Sequence, residues 1–132
     1  MIEISIVNKD DAKIVKKAWG EEVILHNRAD YCGKLLRFHK GGKFSMHFHI
    51  MKTETWYVNK GVFQLIYINT DTADMEFREV TEGMIIEIEK GTPHQLIALE
   101  DGEIFEASTM HYDYDSYRIM KGDSQHEDIC RH

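Results

Sequence analysis

From Glu22 to Met110 the chain is a succession of short runs rich in β-branched and aromatic residues, broken by Gly, Asp, Asn and Thr. The runs are Glu22 to His26, Tyr31 to His39, Lys43 to Phe48, Glu54 to Asn59, Val62 to Asn69, Met75 to Val80, Met84 to Glu89, His94 to Ala98 and Ile104 to Met110. Segments of this length and spacing predict seven to nine strands in an all-β sandwich or barrel. Asn59-Lys60-Gly61, Asn69 to Thr72 and Asp101-Gly102 have the chemistry of tight turns, and Gly41-Gly42 permits a bend, so the chain reads locally as a meander of hairpins. The single proline, Pro93, stands at the entry to a strand, where a missing N–H matters least. Closing the sheet into a barrel removes the edges that so many short strands would otherwise expose.

One segment departs from this pattern. Asp10 to Trp19, DDAKIVKKAW, places acidic residues first and lysines later, the order that a helix dipole favours, and predicts a short N-terminal helix of about two turns. Before it, Ile2 to Val7 alternates Ile with other residues and predicts a strand that adds to a partner's sheet edge, as in a homodimer. The 132 residues suit one domain with a real core, and no apolar stretch approaches the roughly 20 residues of a membrane helix. Met1 to Asp11 has neither the basic nor the apolar region of a secretory signal, which predicts a cytoplasmic protein. Cys32 and Cys130 are too few for a disulfide framework and are expected as reduced thiols. A net charge of −7 with scattered basic residues argues against binding to nucleic acid or anionic membranes, and a small molecule is the expected partner.

Chemistry concentrates in Met46-His47-Phe48-His49 and the following Glu54. Side chains alternate across a strand, so His47 and His49 share one face and Phe48 takes the other. A short loop, Ile50 to Thr53, then returns Glu54 to the start of the next run. Two or three imidazoles with one carboxylate form a ligand set for iron, manganese, zinc or nickel that leaves positions open for water or substrate. A His-x-His pair alone more often decorates a surface, so the surrounding spacing decides.

That spacing is Gly41, five residues, His47-x-His49, four residues, Glu54, six residues and Gly61. It resembles the first motif of the cupin superfamily position by position. Gly83, five residues, Glu89, then Gly91, two residues and His94 resembles the second motif, with Glu89 where the family usually has Pro and Ala98 where it commonly has Asn. The resemblance covers roughly Leu35 to Glu106. It implies a single antiparallel double-stranded β-helix, or jelly-roll, barrel, with a 1–30 N-terminal arm, a 31–110 barrel core and a 111–132 tail or lid. It also implies one divalent metal ion on His47, His49, Glu54 and His94. Burying three imidazoles and a carboxylate without partners would cost several kcal/mol per group, and a cation satisfies all four.

Further residues resemble one branch, the mannose-6-phosphate isomerase cupin domain: Lys17-Ala18-Trp19-Gly20 with Glu22, Lys52 to Trp56, Gly91 to His94, and Asp115-Ser116-Tyr117-Arg118. Ala18 replaces that branch's Pro, and His47 stands where its bacterial bifunctional members usually carry Gln. The branch implies a sugar or sugar-phosphate isomerase or epimerase, which needs a Lewis acid, a base and cations for phosphate. Lys52 and Arg118 are the candidates for phosphate or enediolate, and Glu54 or His111 for the base. Trp56, on the Glu54 face by alternation, is the candidate pocket wall; Tyr57, Phe63, Tyr67 and Phe105 read as ordinary core. The Tyr112 to Tyr117 stretch reads as a lid, and Gly122 to His132 as a polar mobile tail. The same ligand set serves Fe(II) dioxygenases and noncatalytic small-ligand cupins, so both remain as alternatives.

Overall fold

The computed structural model describes residues 3–125 and forms two antiparallel sheets. The strands are β1 (Lys13–Lys17), β2 (Gly20–Asn27), β3 (Cys32–Phe38), β4 (Met46–Phe48), β5 (Glu54–Lys60), β6 (Val62–Ile68), β7 (Met75–Thr81), β8 (Ile85–Ile88), β9 (His94–Ala98), β10 (Gly102–Ser108) and β11 (Tyr117–Met120). One sheet runs β1-β2-β3-β10-β5-β8 and the other β11-β4-β9-β6-β7. Their inner faces meet over a core that includes Leu36, Phe38, Phe44, Trp56, Val58, Phe63, Leu65, Leu96 and Ile104. Burial alternates along β5 and β10, so inward Trp56, Val58 and Ile104 fill the barrel while Tyr57 faces out.

All nine sequence-read runs contain strands, but their order is that of a jelly roll. Only β1–β2, β2–β3 and β6–β7 pair as sequence neighbours. Asn59-Lys60-Gly61 and Asp101-Gly102, expected as hairpin turns, carry the chain from one sheet to the other. Turn residues set where a chain reverses and say nothing of which strand it pairs with next. Gly61 has φ +96° and packs so tightly that a Cβ there would lie 2.9 Å from the Asp101 carbonyl oxygen, which pins two of these corners together.

The N-terminal helix does not form. Lys9–Asp11 makes one 3₁₀ turn, capped by the Asn8 side chain accepting from the Asp10 N–H, and β1 follows at once. A two-turn helix is marginal alone, whereas Ile14 and Val15 suit a strand and β2 supplies a full ladder, Lys13 opposite Ile24 through Lys17 opposite Gly20. The lysines that imitate a dipole pattern pair across the ladder, Lys16 to Glu21 at 3.6 Å and Lys17 to Glu22 at 3.9 Å. Residues 3–7 of the expected edge strand carry no strand, with Ile4, Ile6 and Val7 exposed; Ile2 lies outside the described residues.

The segment beyond the barrel is also built in. Tyr117–Met120 pairs with β4, and Tyr117 stacks on Phe48 with ring centroids 5.3 Å apart. The start of the expected mobile tail is tied down: Gly122 is buried against Phe44 and Ser45, and Asp123 exchanges two hydrogen bonds with Lys43. Residues 126–132 of that tail, Cys130 among them, lie outside the described residues. Cys32 is a free thiol, and burial pushes its pKa up, away from reactivity. Among the described residues no helix is long and apolar enough to cross a membrane.

Candidate metal centre

His47 and His94 are register partners on β4 and β9, which brings the two halves of the sequence pattern into one ladder. His49 follows β4, and the Gly91 N–H donates to its carbonyl at 2.7 Å; Gly91 reaches that position with φ +77°. The ligand nitrogens of His47, His49 and His94 all lie within 4.8 Å of one another. Glu54, from β5 in the opposite sheet, brings Oε2 to 3.4 Å from His49 Nε2 and 3.8 Å from His94 Nε2.

Hydrogen bonds fix which nitrogens face inward. His47 Nδ1 donates to the Ser45 carbonyl at 2.7 Å, His94 Nδ1 to the Thr92 carbonyl at 2.9 Å, and His49 Nδ1 to the Asp115 carbonyl. A neutral imidazole with its proton on Nδ1 presents a lone pair at Nε2. All three rings are neutral at pH 7. Burial lowers the pKa of His94 to about 4, and burial followed by the neighbouring imidazoles holds His47 well below the ordinary range. Burial and Lys52 lower His49.

Three Nε2 lone pairs and a Glu54 carboxyl oxygen thus converge. Glu54 Oε2 and His94 Nε2 are buried with no hydrogen-bond partner, which in a folded protein calls for an explanation. A divalent cation accepts all four lone pairs at once, so the three histidines can hold a metal ion, and the backbone carbonyls behind them supply the orienting contacts such ligands use. Trp56, 1% exposed, donates its indole N–H to Glu54 Oε1 at 2.6 Å, leaving Oε2 to face the histidines. The expected pocket wall therefore also holds the carboxylate.

Around this group lies a buried ionic network. Lys52, the candidate cation for phosphate or enediolate, is 4% exposed, with its ammonium 3.2 Å from Glu106 and 3.9 Å from Glu54. Burial works against its charge, but Glu106 and Glu54 outweigh that and raise its pKa. Burial and then Glu106 push Glu54 up to about 8, while at Glu106 burial is overcome by Lys52 and Lys34, which hold it near 2. Lys34, on β3 directly opposite Glu106, pairs with Glu22 at 3.3 Å.

Lys52 also donates to His111 Nδ1 at 3.2 Å, so the neutral His111 ring carries its proton on Nε2, which donates to Asp113 at 3.2 Å. Burial, then Lys34 and Lys52, bring the His111 pKa to about 4. Arg118 is exposed on β11, opposite His47, and lines the rim of the same cavity. That cavity has a volume of about 1000 Å³ and contains His47, His49, His94, Lys52, Glu54 and Glu106.

Glu106 and Lys34 carry no site role in the sequence pattern, and Asp115 enters it only within the resembling stretch Asp115-Ser116-Tyr117-Arg118. For the first two a signal exists: Glu106 alternates with inward Ile104, and Lys34 with inward Leu36 and Phe38, so each places a charge on an otherwise apolar face. Nothing in that polar stretch singles out Asp115 as the acid that reaches the loop after His49.

The family profile described as "Cupin domain" matches residues 34–111, more than half of the chain. This chain belongs to the cupin family. Among solved structures, the cupin resembles KdgF from Halomonas sp., with a TM-score of 0.70 and 19% identity over 83% of this chain and 96% of that one. It also resembles oxalate decarboxylase from Bacillus subtilis at pH 4.6, with a TM-score of 0.73 and 17% identity over 89% of this chain and 33% of that one. A third is the capsular polysaccharide assembling protein CapF from Staphylococcus aureus, at 0.70 and 15% over 83% of this chain and 32% of that one. The cupin thus spans about a third of the length of the last two. At these identities the likeness is one of fold. A search of curated proteins gave no match.

Proposed function

We propose that this cupin is a metal-dependent enzyme that isomerises or epimerises a sugar or sugar phosphate, with the ion held by His47, His49, Glu54 and His94. The observation that carries this reading is the convergence of three Nε2 lone pairs on the orphaned Glu54 Oε2, beside a buried, charged Lys52. When bound, the ion supplies a Lewis acid that polarises a substrate carbonyl.

The chain's own residues do the rest. The Lys52 ammonium, oriented by Glu106, donates to the substrate oxygen on which negative charge develops. Turning toward that oxygen frees the His111 Nδ1 lone pair, which takes the proton from the carbon beside the carbonyl and returns it on the same face to the neighbouring carbon, or to the original carbon once the enediolate has turned over. Trp56 holds Glu54 Oε1 and leaves Oε2 aimed inward. Arg118, at the rim, binds a phosphate while the sugar reaches the histidines.

The test is elemental analysis of protein purified without a metal-chelating column, beside His49→Ala and His94→Ala, followed by proton NMR of aldose and ketose phosphates in D₂O. About one ion per chain, lost in both variants, with enzyme-dependent deuterium uptake next to the carbonyl, supports the proposal. No ion in the wild type, and none taken up from added zinc, manganese, iron or nickel, removes it. Bound ion without deuterium uptake removes the isomerase.

A further inference from the structure

Asp115 is 1% exposed in a stretch of exposed and half-buried polar residues, and it faces the loop between His49 and Glu54. Its carboxylate accepts the backbone N–H of Ile50 at 2.9 Å, of Met51 at 3.1 and 3.2 Å, and of Lys52 at 3.1 Å. Three successive amides pointing at one anion form a concave anion site, here filled from within the chain. The same residue's carbonyl accepts the His49 Nδ1–H, and its own N–H closes a turn onto the Tyr112 carbonyl at 2.9 Å. One residue thus grips both ends of the loop that carries His49 into Lys52.

We infer that Asp115 is the positioning residue of the metal centre, fixing the His49 tautomer and the placement of Lys52 from outside the two histidine-bearing strands; this rests on the metal reading above. His47 and His94 each donate to a carbonyl two residues away in their own strand segment, so their orientation is local. His49 depends on a carbonyl 66 residues on, and that carbonyl stays in reach only while the carboxylate holds the loop amides. The 112–118 segment is therefore a wall of the site rather than a lid over it. It is anchored at one end by β11 on β4 and at the other by Asn27, which bonds both the N–H and the carbonyl of His111.

The experiment compares wild type, Asp115→Asn, the milder Asp115→Glu for the case that the first does not fold, and the exposed-loop charge control Asp71→Asn. Ring ¹⁵N NMR of metal-free protein reads the tautomer of each histidine, and calorimetric titration with Zn²⁺ reads affinity. In wild type and Asp71→Asn, His49 carries its proton on Nδ1. In the Asp115 variants His49 alone becomes a mixture of tautomers and zinc binding weakens roughly 10–100-fold, the range for loss of an outer-shell partner. An unchanged His49 with unchanged affinity overturns the inference and leaves the metal reading standing. Equal loosening of His47, His49 and His94 also overturns it, as does a changed tautomer with wild-type affinity. If wild type binds no zinc while His49 alone shifts in the variants, the metal reading falls and Asp115 stands as the positioning residue of His49.

Discussion

Glu106→Gln removes the closest counter-charge of a lysine that has almost no contact with water. Lys52 and Glu106 side chains are both 4% exposed and 3.2 Å apart, and breaking such a buried pair by removing one partner costs about 3–5 kcal/mol. Here the loss falls at the low end, about 3 kcal/mol, because Glu54 at 3.9 Å can release its proton and take over part of the pairing. With a urea m-value of about 2 kcal/mol/M, the midpoint drops by about 1.5 M at unchanged slope. The assay is equilibrium urea unfolding of metal-free protein at pH 7, followed by tryptophan fluorescence. Replacing both members, Lys52→Met with Glu106→Gln, leaves no unpaired charge and should return stability to within about 1 kcal/mol of wild type. A single-variant loss below about 1 kcal/mol, or a double variant weaker than the single one, would refute the reasoning.

Acid should destabilise the metal-free protein. His47, His49, His94 and His111 have folded pKa values depressed below 6.5, so the unfolded chain binds more protons and stability falls as pH drops from 6.5 toward 4. Glu54, raised to about 8, acts in the opposite direction between 4.5 and 8, as does His39, raised by its hydrogen bond to the Ala18 carbonyl, but these two oppose four imidazoles; a urea midpoint at pH 5 equal to that at pH 7 would contradict this. Trp56→Phe deprives Glu54 Oε1 of its donor and should lower stability by about 1–3 kcal/mol in the same unfolding assay. Gly20→Ala puts a Cβ 1.8 Å from the Arg37 carbonyl oxygen, and calorimetry should show a lower Tm corresponding to a loss on the order of 3 kcal/mol.

The barrel was legible because its strands announce themselves by composition and its corners by Gly, Asn and Asp. Pairing order was not, since Asn59-Lys60-Gly61 looks the same whether it closes a hairpin or turns a corner between sheets. Asp10 to Trp19 misled because lysines spaced for a helix dipole are also spaced for cross-strand pairs with Glu21 and Glu22. His47 and His49 followed from strand alternation, and His94 from the resemblance that placed it opposite them. Glu106 and Lys34 could have been found by asking why a charge falls on an inward position. The role of Asp115 depends on a contact across 66 residues that no local pattern encodes.

The barrel draws His47 and His94 from one sheet and Glu54 and Glu106 from the other. None of these groups meets across the cavity until the sheets close over each other, and pairings so distant in sequence form slowly because loop-closure entropy precedes any return. We predict that water leaves Lys52, Glu54 and Glu106 only after the rate-limiting barrier, as the two sheets seat on each other. Substitutions at these positions should leave the refolding limb of a chevron plot nearly unmoved and act on the unfolding limb. On this prediction the polar centre governs how long a folded molecule persists, while the apolar strands around it govern how soon one forms.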